Sequence, residues 1–194
     1  MWVKVTFALA YGANGADLAC GNWNRGSFKI VLPEAEPPIC LFPLVHGDWY
    51  LPYSLGWGPT TVIEEKPTIT ISNKNVKVAD GVFVGFDKNG YITCRFICAR
   101  KNTIILDENT TAVFTYADSD VTISGYDSSK TVYPDGDSYQ RTTTYSIEWK
   151  KGWNVWYRSC YTTESKGTRV TTEEWLTTPK IRGLNWFGNS MMFL

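Results

Sequence analysis

The chain has 194 residues with 19 Lys and Arg against 19 Asp and Glu, a formal net charge of zero; no global basic field exists to hold nucleic acid or an anionic membrane. Hydrophobic residues make up 43% and charged residues 20%, which excludes a disordered chain and permits a core without disulfide staples. The longest apolar run, Ile39 to Val45, is broken by Pro43 and falls far short of the ~18 residues a membrane helix needs.

Trp2 to Ala10 reads as a first strand, with Val3, Val5, Phe7 and Leu9 on one face and Lys4 and Thr6 on the other. Gly-rich turns at 12–15 and 21–26 flank a short strand at Ala16 to Cys20. Ser27 to Leu32 reads as a strand ended by Pro33, which lacks the N–H a ladder requires. Prolines then stand at 33, 37, 38, 43, 52, 59 and 67, interleaved with Trp49, Tyr50, Tyr53 and Trp57. Prolines this dense forbid a long helix or a central strand, and the aromatics argue against a polar linker. The segment is a structured loop laid across a single domain (1–194), or a boundary near Pro67 between subdomains 1–66 and 67–194.

Thr68 to Ser72 and Val76 to Phe86 are the next strands. Asp87-Lys88-Asn89-Gly90 follows, where Asn-Gly reaches the positive φ of a type I′ hairpin turn, and Tyr91 to Ala99 is the return strand. Short strands are expected at 103–106, 111–117 and 120–124, and the Ser-, Asp- and Gly-rich stretch from Tyr126 to Gln140 reads as an exposed loop. Thr142 to Arg158 alternates on both sides of Lys150-Lys151-Gly152 and predicts a β-hairpin. Its alternation puts Ile147, Trp149, Trp153 and Val155 in the core and leaves Lys150 to Gly152 exposed. Strands at 169–176 and 182–187 close the chain, and the one helical turn the pattern allows falls in 171–176. The expected fold is all-β: a β-sandwich of about a dozen short antiparallel strands, with a closed β-barrel as the alternative.

Catalytic chemistry finds little support. The single histidine, His46, lies in Val-His-Gly-Asp-Trp, and no Gly-x-Ser-x-Gly elbow exists. No histidine pair or cysteine cluster suits a metal, so no metal or cofactor is expected. Asp118-Ser-Asp120 and Asp135-Gly-Asp137 lack the EF-hand order and read as turn formers. Among five cysteines, Cys94 and Cys98 lie ~13 Å apart along one strand, beyond disulfide reach, and read as small apolar residues. Nine tryptophans remain the strongest signal. Trp23, Trp49, Tyr50, Tyr53 and Trp57 fall in loop-like sequence, where aromatics stack on sugars, anchor partners or cover a sheet end.

Three segments resemble uncharacterised secreted proteins and lipoproteins of gut Bacteroidetes: Val113 to Gly125, Tyr145 to Tyr157 with its Lys-Lys-Gly-Trp-Asn run, and Thr177 to Phe187 with its closing Leu184-Asn-Trp186. Gly26 to Pro33 is similar to the early strand of the same family. The shared motifs are structural, and the resemblance implies an exported β protein, periplasmic or at the cell surface, while carrying over no catalytic residue. Met1 running straight into a strand fits a trimmed start, with a signal sequence and a lipid anchor expected upstream. The functional expectation is a non-catalytic binding or structural module of the cell envelope, its partner a glycan or an envelope protein. The alternative is a carbohydrate-active protein, a glycan-binding module or a glycosidase, that works through the five loop aromatics.

Overall fold

The computed structural model describes residues 2–7, 17–22, 29–32, 42–44, 61–64, 68–89, 92–99, 109–133, 136–178 and 183–190. These residues form no helix. They form thirteen strands: β1 (Trp2–Phe7), β2 (Asp17–Asn22), β3 (Phe42–Pro43), β4 (Thr61–Glu64), β5 (Thr70–Ile71), β6 (Lys77–Phe86), β7 (Ile92–Ala99), β8 (Asn109–Ala117), β9 (Val121–Val132), β10 (Ser138–Trp149), β11 (Gly152–Ser165), β12 (Thr168–Leu176) and β13 (Asn185–Ser190). The fold is all-β, as expected. The strands run in the order β2-β1-β6-β7-β8-β11-β12-β10-β9-β4, with β13 on β7, β3 on β6 and β5 on β9. The described strands do not close into a barrel, and the layering is that of a sandwich. Strands from before and after residue 67 share this one sheet.

Two cores occupy opposite faces of the central strands β6 and β8. The larger gathers Val76, Val78, Ala117, Val121, Ile123, Tyr145, Ile147, Trp149 and Trp156. The smaller is built on Phe83 and Phe96, with Ile30, Leu32, Phe114 and Trp186 packed against them. Its rings meet edge-on, Phe83 lying 5.0 Å from Phe114 and 4.8 Å from Trp186, a favoured quadrupole geometry. Covered on both sides, β8 buries consecutive residues, Thr115, Tyr116 and Ala117.

The Thr142–Arg158 segment is not a hairpin. β10 and β11 do not pair with each other, because β12 lies between them, parallel to β10 and antiparallel to β11. The described strands therefore hold one parallel ladder where only antiparallel pairs are expected; the strand expected at 169–176 is present as β12, with no helical turn in it. The reason lies at the corner. Gly152 sits at φ 105°, and Asn154 turns back onto the bend. Its side chain accepts from the Lys150 N–H at 2.9 Å and donates to the carbonyls of Lys150 and Gly152 at 2.7 and 2.9 Å. Asn154 thus takes an inward position, and the register with β8 sets Trp156 opposite Val113. The whole face of β11 flips relative to the expected one, as a one-residue shift of alternation must. Ile147 and Trp149 are core as expected, but Val155 is 38% exposed, Trp153 is half-buried against Tyr116, and Trp156 is the buried tryptophan. Lys150 and Lys151 are exposed and Gly152 is half-buried.

The expected loop at 126–140 is also mostly strand. β9 and β10 pair in register from Ser138↔Val132 to Trp149↔Val121. Ser, Thr and Asp side chains that would favour a loop in isolation are held here by cross-strand neighbours on both sides of β10. Residues 29–32 carry no ladder, although Ile30 and Leu32 pack on the smaller core. The expected strand at 103–106 lies outside the described residues.

Gly125, opposite Tyr145, has φ 117°, and a Cβ there would stand 2.1 Å from the Thr68 carbonyl oxygen. The close approach lets the segment at 68–72 lie on β9, with Thr68 N–H bonded to the Tyr126 carbonyl and Ser72 N–H to the Thr122 carbonyl, both at 3.0 Å. Gly125→Ala meets both a disfavoured conformation and backbone. The conformation alone costs ~1–3 kcal/mol, so urea denaturation should place the variant's midpoint well below the parent's; an unchanged midpoint would disprove the close packing.

Candidate binding site

The feature around which the larger core is organised is a partly enclosed cavity at the point where the sheet divides. β12 ends at Leu176, between Ser146 of β10 and Tyr157 of β11. Thr177 secures that end, its N–H bonding to the Ser146 carbonyl and its hydroxyl oxygen accepting from the Glu148 N–H at 2.6 Å. Beyond this point β10 pairs with β9 and β11 with β8, and β12 no longer joins them. Trp149 and Trp156 face one another across the opening with ring centroids 6.2 Å apart. Trp175 closes the row, 4.8 Å from Trp156 and 5.1 Å from Tyr145. Leu44, Val78, Asp80, Thr115 and Ile123 complete the lining, and about 40 Å³ stays open to the centres of water-sized groups.

Two of the three indoles are fixed by hydrogen bonds to internal acceptors. The Trp156 N–H donates to the Thr115 hydroxyl at 2.9 Å, and that hydroxyl donates to the Asp80 carboxylate. The Trp175 N–H donates to Glu173 at 3.2 Å. Glu173 is itself 3% exposed and is held by two arginines, Arg158 through Nη2 and Nε at 2.7 and 3.2 Å and Arg141 through Nη2 at 2.9 Å. Burial alone would push the Glu173 carboxyl up. The Arg158 hydrogen bonds, the charges of both arginines and the Trp175 N–H outweigh it and hold the group below the usual carboxylate range. Glu173 is thus a clamped anion that positions Trp175. The third indole differs: Trp149 is 4% exposed and its N–H has no hydrogen-bond partner.

The five loop aromatics singled out in the sequence, Trp23, Trp49, Tyr50, Tyr53 and Trp57, lie outside the described residues, as do His46 and Asp135. Asp118 and Asp120 are structural. Asp118 accepts from the Lys77 N–H at 2.9 Å, and Asp120 accepts from the Lys151 N–H at 2.8 Å beside the Lys150 ammonium at 3.2 Å. The Lys151 N–H and then Lys150 hold the Asp120 carboxyl below its ordinary range. Among the described residues no group of three or more His, Cys, Asp or Glu could hold a metal ion. Cys98 is half-buried, with burial pushing its thiol up, whereas Cys20 is exposed. Trp156 was hidden from sequence reasoning by the misread corner, and Trp175, although its strand was expected at 169–176, had no local signal to place it beside Trp156. The Arg141–Glu173–Arg158 cluster has no local motif at all, since its members come from three strands. No protein-family model, curated protein or solved structure matches the chain.

Proposed function

We propose that this domain is a non-catalytic binding module of the bacterial cell envelope and that its ligand is held at the tryptophan-walled cavity. The observation that carries this reading is the contrast among the three indoles. Two have their N–H groups committed to internal acceptors, while the third buries a donor without one. Buried polar groups are nearly always satisfied; of the two unpartnered buried donors among the described residues, the Arg141 Nε and the Trp149 N–H, only the latter belongs to a residue lining the cavity, and it supports an external group supplying the partner. The charged groups near it, Glu173 with its arginines, are engaged in holding Trp175. The envelope location rests on the resemblance of the Lys-Lys-Gly-Trp-Asn and Leu-Asn-Trp segments to exported proteins of gut Bacteroidetes.

A carbohydrate-active protein is the second reading, favoured by the indole faces, which suit the C–H faces of sugars. Tryptophan emission titrated with neutral, acidic and amino-sugar glycans and with envelope peptides tests the first reading. A saturable change with at least one class, without turnover of that compound, is expected. Product formation would favour the second reading, and silence across the panel would remove both.

A further inference from the structure

We infer that the cavity is a subsite for an acetyl group, the end of the acetamido substituent of an N-acetylated amino sugar, with its carbonyl oxygen on the Trp149 N–H and its methyl among the indoles. This rests on the binding-module reading and gives it a ligand class.

The first observation is what the lining leaves unmet. Trp149 is 4% exposed and its N–H has no partner. The polar groups around it are engaged: the Trp156 N–H with Thr115, the Thr115 hydroxyl with Asp80 and the Trp175 N–H with Glu173. Asp80 has a further partner besides Thr115. Among the described residues no buried side-chain acceptor is unpartnered, so the unmet need is for an acceptor alone. A carbonyl oxygen supplies one and brings no donor, whereas a hydroxyl brings a proton of its own and an ammonium ion cannot accept. An anion would exchange its hydration for a single N–H in an apolar wall, and a purely apolar group would leave that N–H desolvated and unpaired.

The second observation is size and wall. A water needs about 10–15 Å³ of such space, so about 40 Å³ admits about three heavy atoms. An acetyl group has three, and a pyranose ring does not fit. Leu44, Val78, Ile123 and the three indoles bound the space with apolar surface suited to the methyl. The carrier follows from the same wall. A pyranose holds its acetamido group on a rigid ring whose C–H face suits an indole. An acetylated lysine reaches the cavity only by immobilising a flexible stem, a cost the ring avoids.

Isothermal calorimetry on the full chain tests this with the methyl glycosides of N-acetylglucosamine and N-acetylgalactosamine, each beside its 2-hydroxy counterpart and its N-propionyl analogue. The parent should bind one acetamido sugar about ten-fold or more tighter than either comparator, since the first lacks the carbonyl and the second carries a methylene too many. Trp149→Phe keeps an aromatic wall and deletes the N–H, and the preference over the 2-hydroxy sugar should fall several-fold. Should that variant fail to fold, the N-propionyl comparison on the parent decides. Equal affinity for acetamido, propionamido and hydroxy sugars, or a preference that Trp149→Phe leaves intact, overturns the subsite while leaving a binding module whose ligand sits elsewhere. Binding of an Nε-acetyl-lysine peptide with both sugars silent overturns the sugar as carrier. Absence of binding to all of these, with only a resident water on the Trp149 N–H, overturns the subsite too. The binding-module reading itself falls only if the wider glycan and peptide panel is also silent.

Discussion

Trp156→Ala is expected to destabilise the domain by ~3–5 kcal/mol, the usual cost of truncating a buried tryptophan. Trp156 is 5% exposed, packs between Trp149 and Trp175, and carries the hydrogen bond that joins β11 to Thr115 of β8. Its removal leaves a void and takes away the donor to the Thr115 hydroxyl, which keeps its bond to Asp80. Against a total stability of ~5–15 kcal/mol this is a large fraction, so the urea midpoint should fall steeply. Val155→Ala, one residue earlier on the opposite and 38% exposed face, should change the midpoint far less. The reverse ranking would restore the hairpin face that the sequence alternation suggested and contradict the flipped register of β11.

Glu173→Gln is expected to be of similar severity. It leaves Arg141 and Arg158, with side chains 33% and 28% exposed, facing each other without the anion between them. Breaking a buried pair by removing one partner costs ~3–5 kcal/mol, and the partial exposure of both arginines places this case at the lower end. The effect is pH-dependent with a defined sign. The folded-state pKa of Glu173 is depressed, so its contribution is fully present above the unfolded carboxylate pKa of ~4.3 and is lost as pH falls through the folded value. Chemical denaturation of parent and variant at neutral pH and at successively lower pH should show their difference shrinking in that acid window. A difference that stays constant on acidification would mean that Glu173 acts through packing rather than charge.

How much of this was legible in the chain depends on whether the signal was local. Tyr145, Ile147 and Trp149 alternate cleanly with Ser146 and Glu148, and β10 buries that face. Phe86 to Ile92 is bridged in the expected sense, with β6 and β7 antiparallel. The all-β class follows from many such stretches. The failures are non-local. Nothing near Lys150 says that β12 will insert between β10 and β11, because that pairing is decided some twenty residues downstream. Asn154 looks like a polar outward residue until its three bonds to the bend are seen. The Ser- and Thr-rich run at 126–132 has loop composition and becomes strand only because β10 and β4 flank it. The cavity is built from β6, β8, β9, β10, β11 and β12 together, and no spacing within the chain could have announced it.

The most direct measurement is an indole-¹⁵N spectrum recorded while the methyl glycoside of N-acetylglucosamine or N-acetylgalactosamine is added, with Trp149, Trp156 and Trp175 assigned by single Phe substitutions. The Trp156 and Trp175 N–H groups are committed to Thr115 and Glu173, so their resonances should stay nearly fixed. The Trp149 N–H has no internal acceptor and should shift saturably as the ligand arrives. A titration in which a sugar binds while the Trp149 resonance stays still would contradict the placement of the ligand in this cavity.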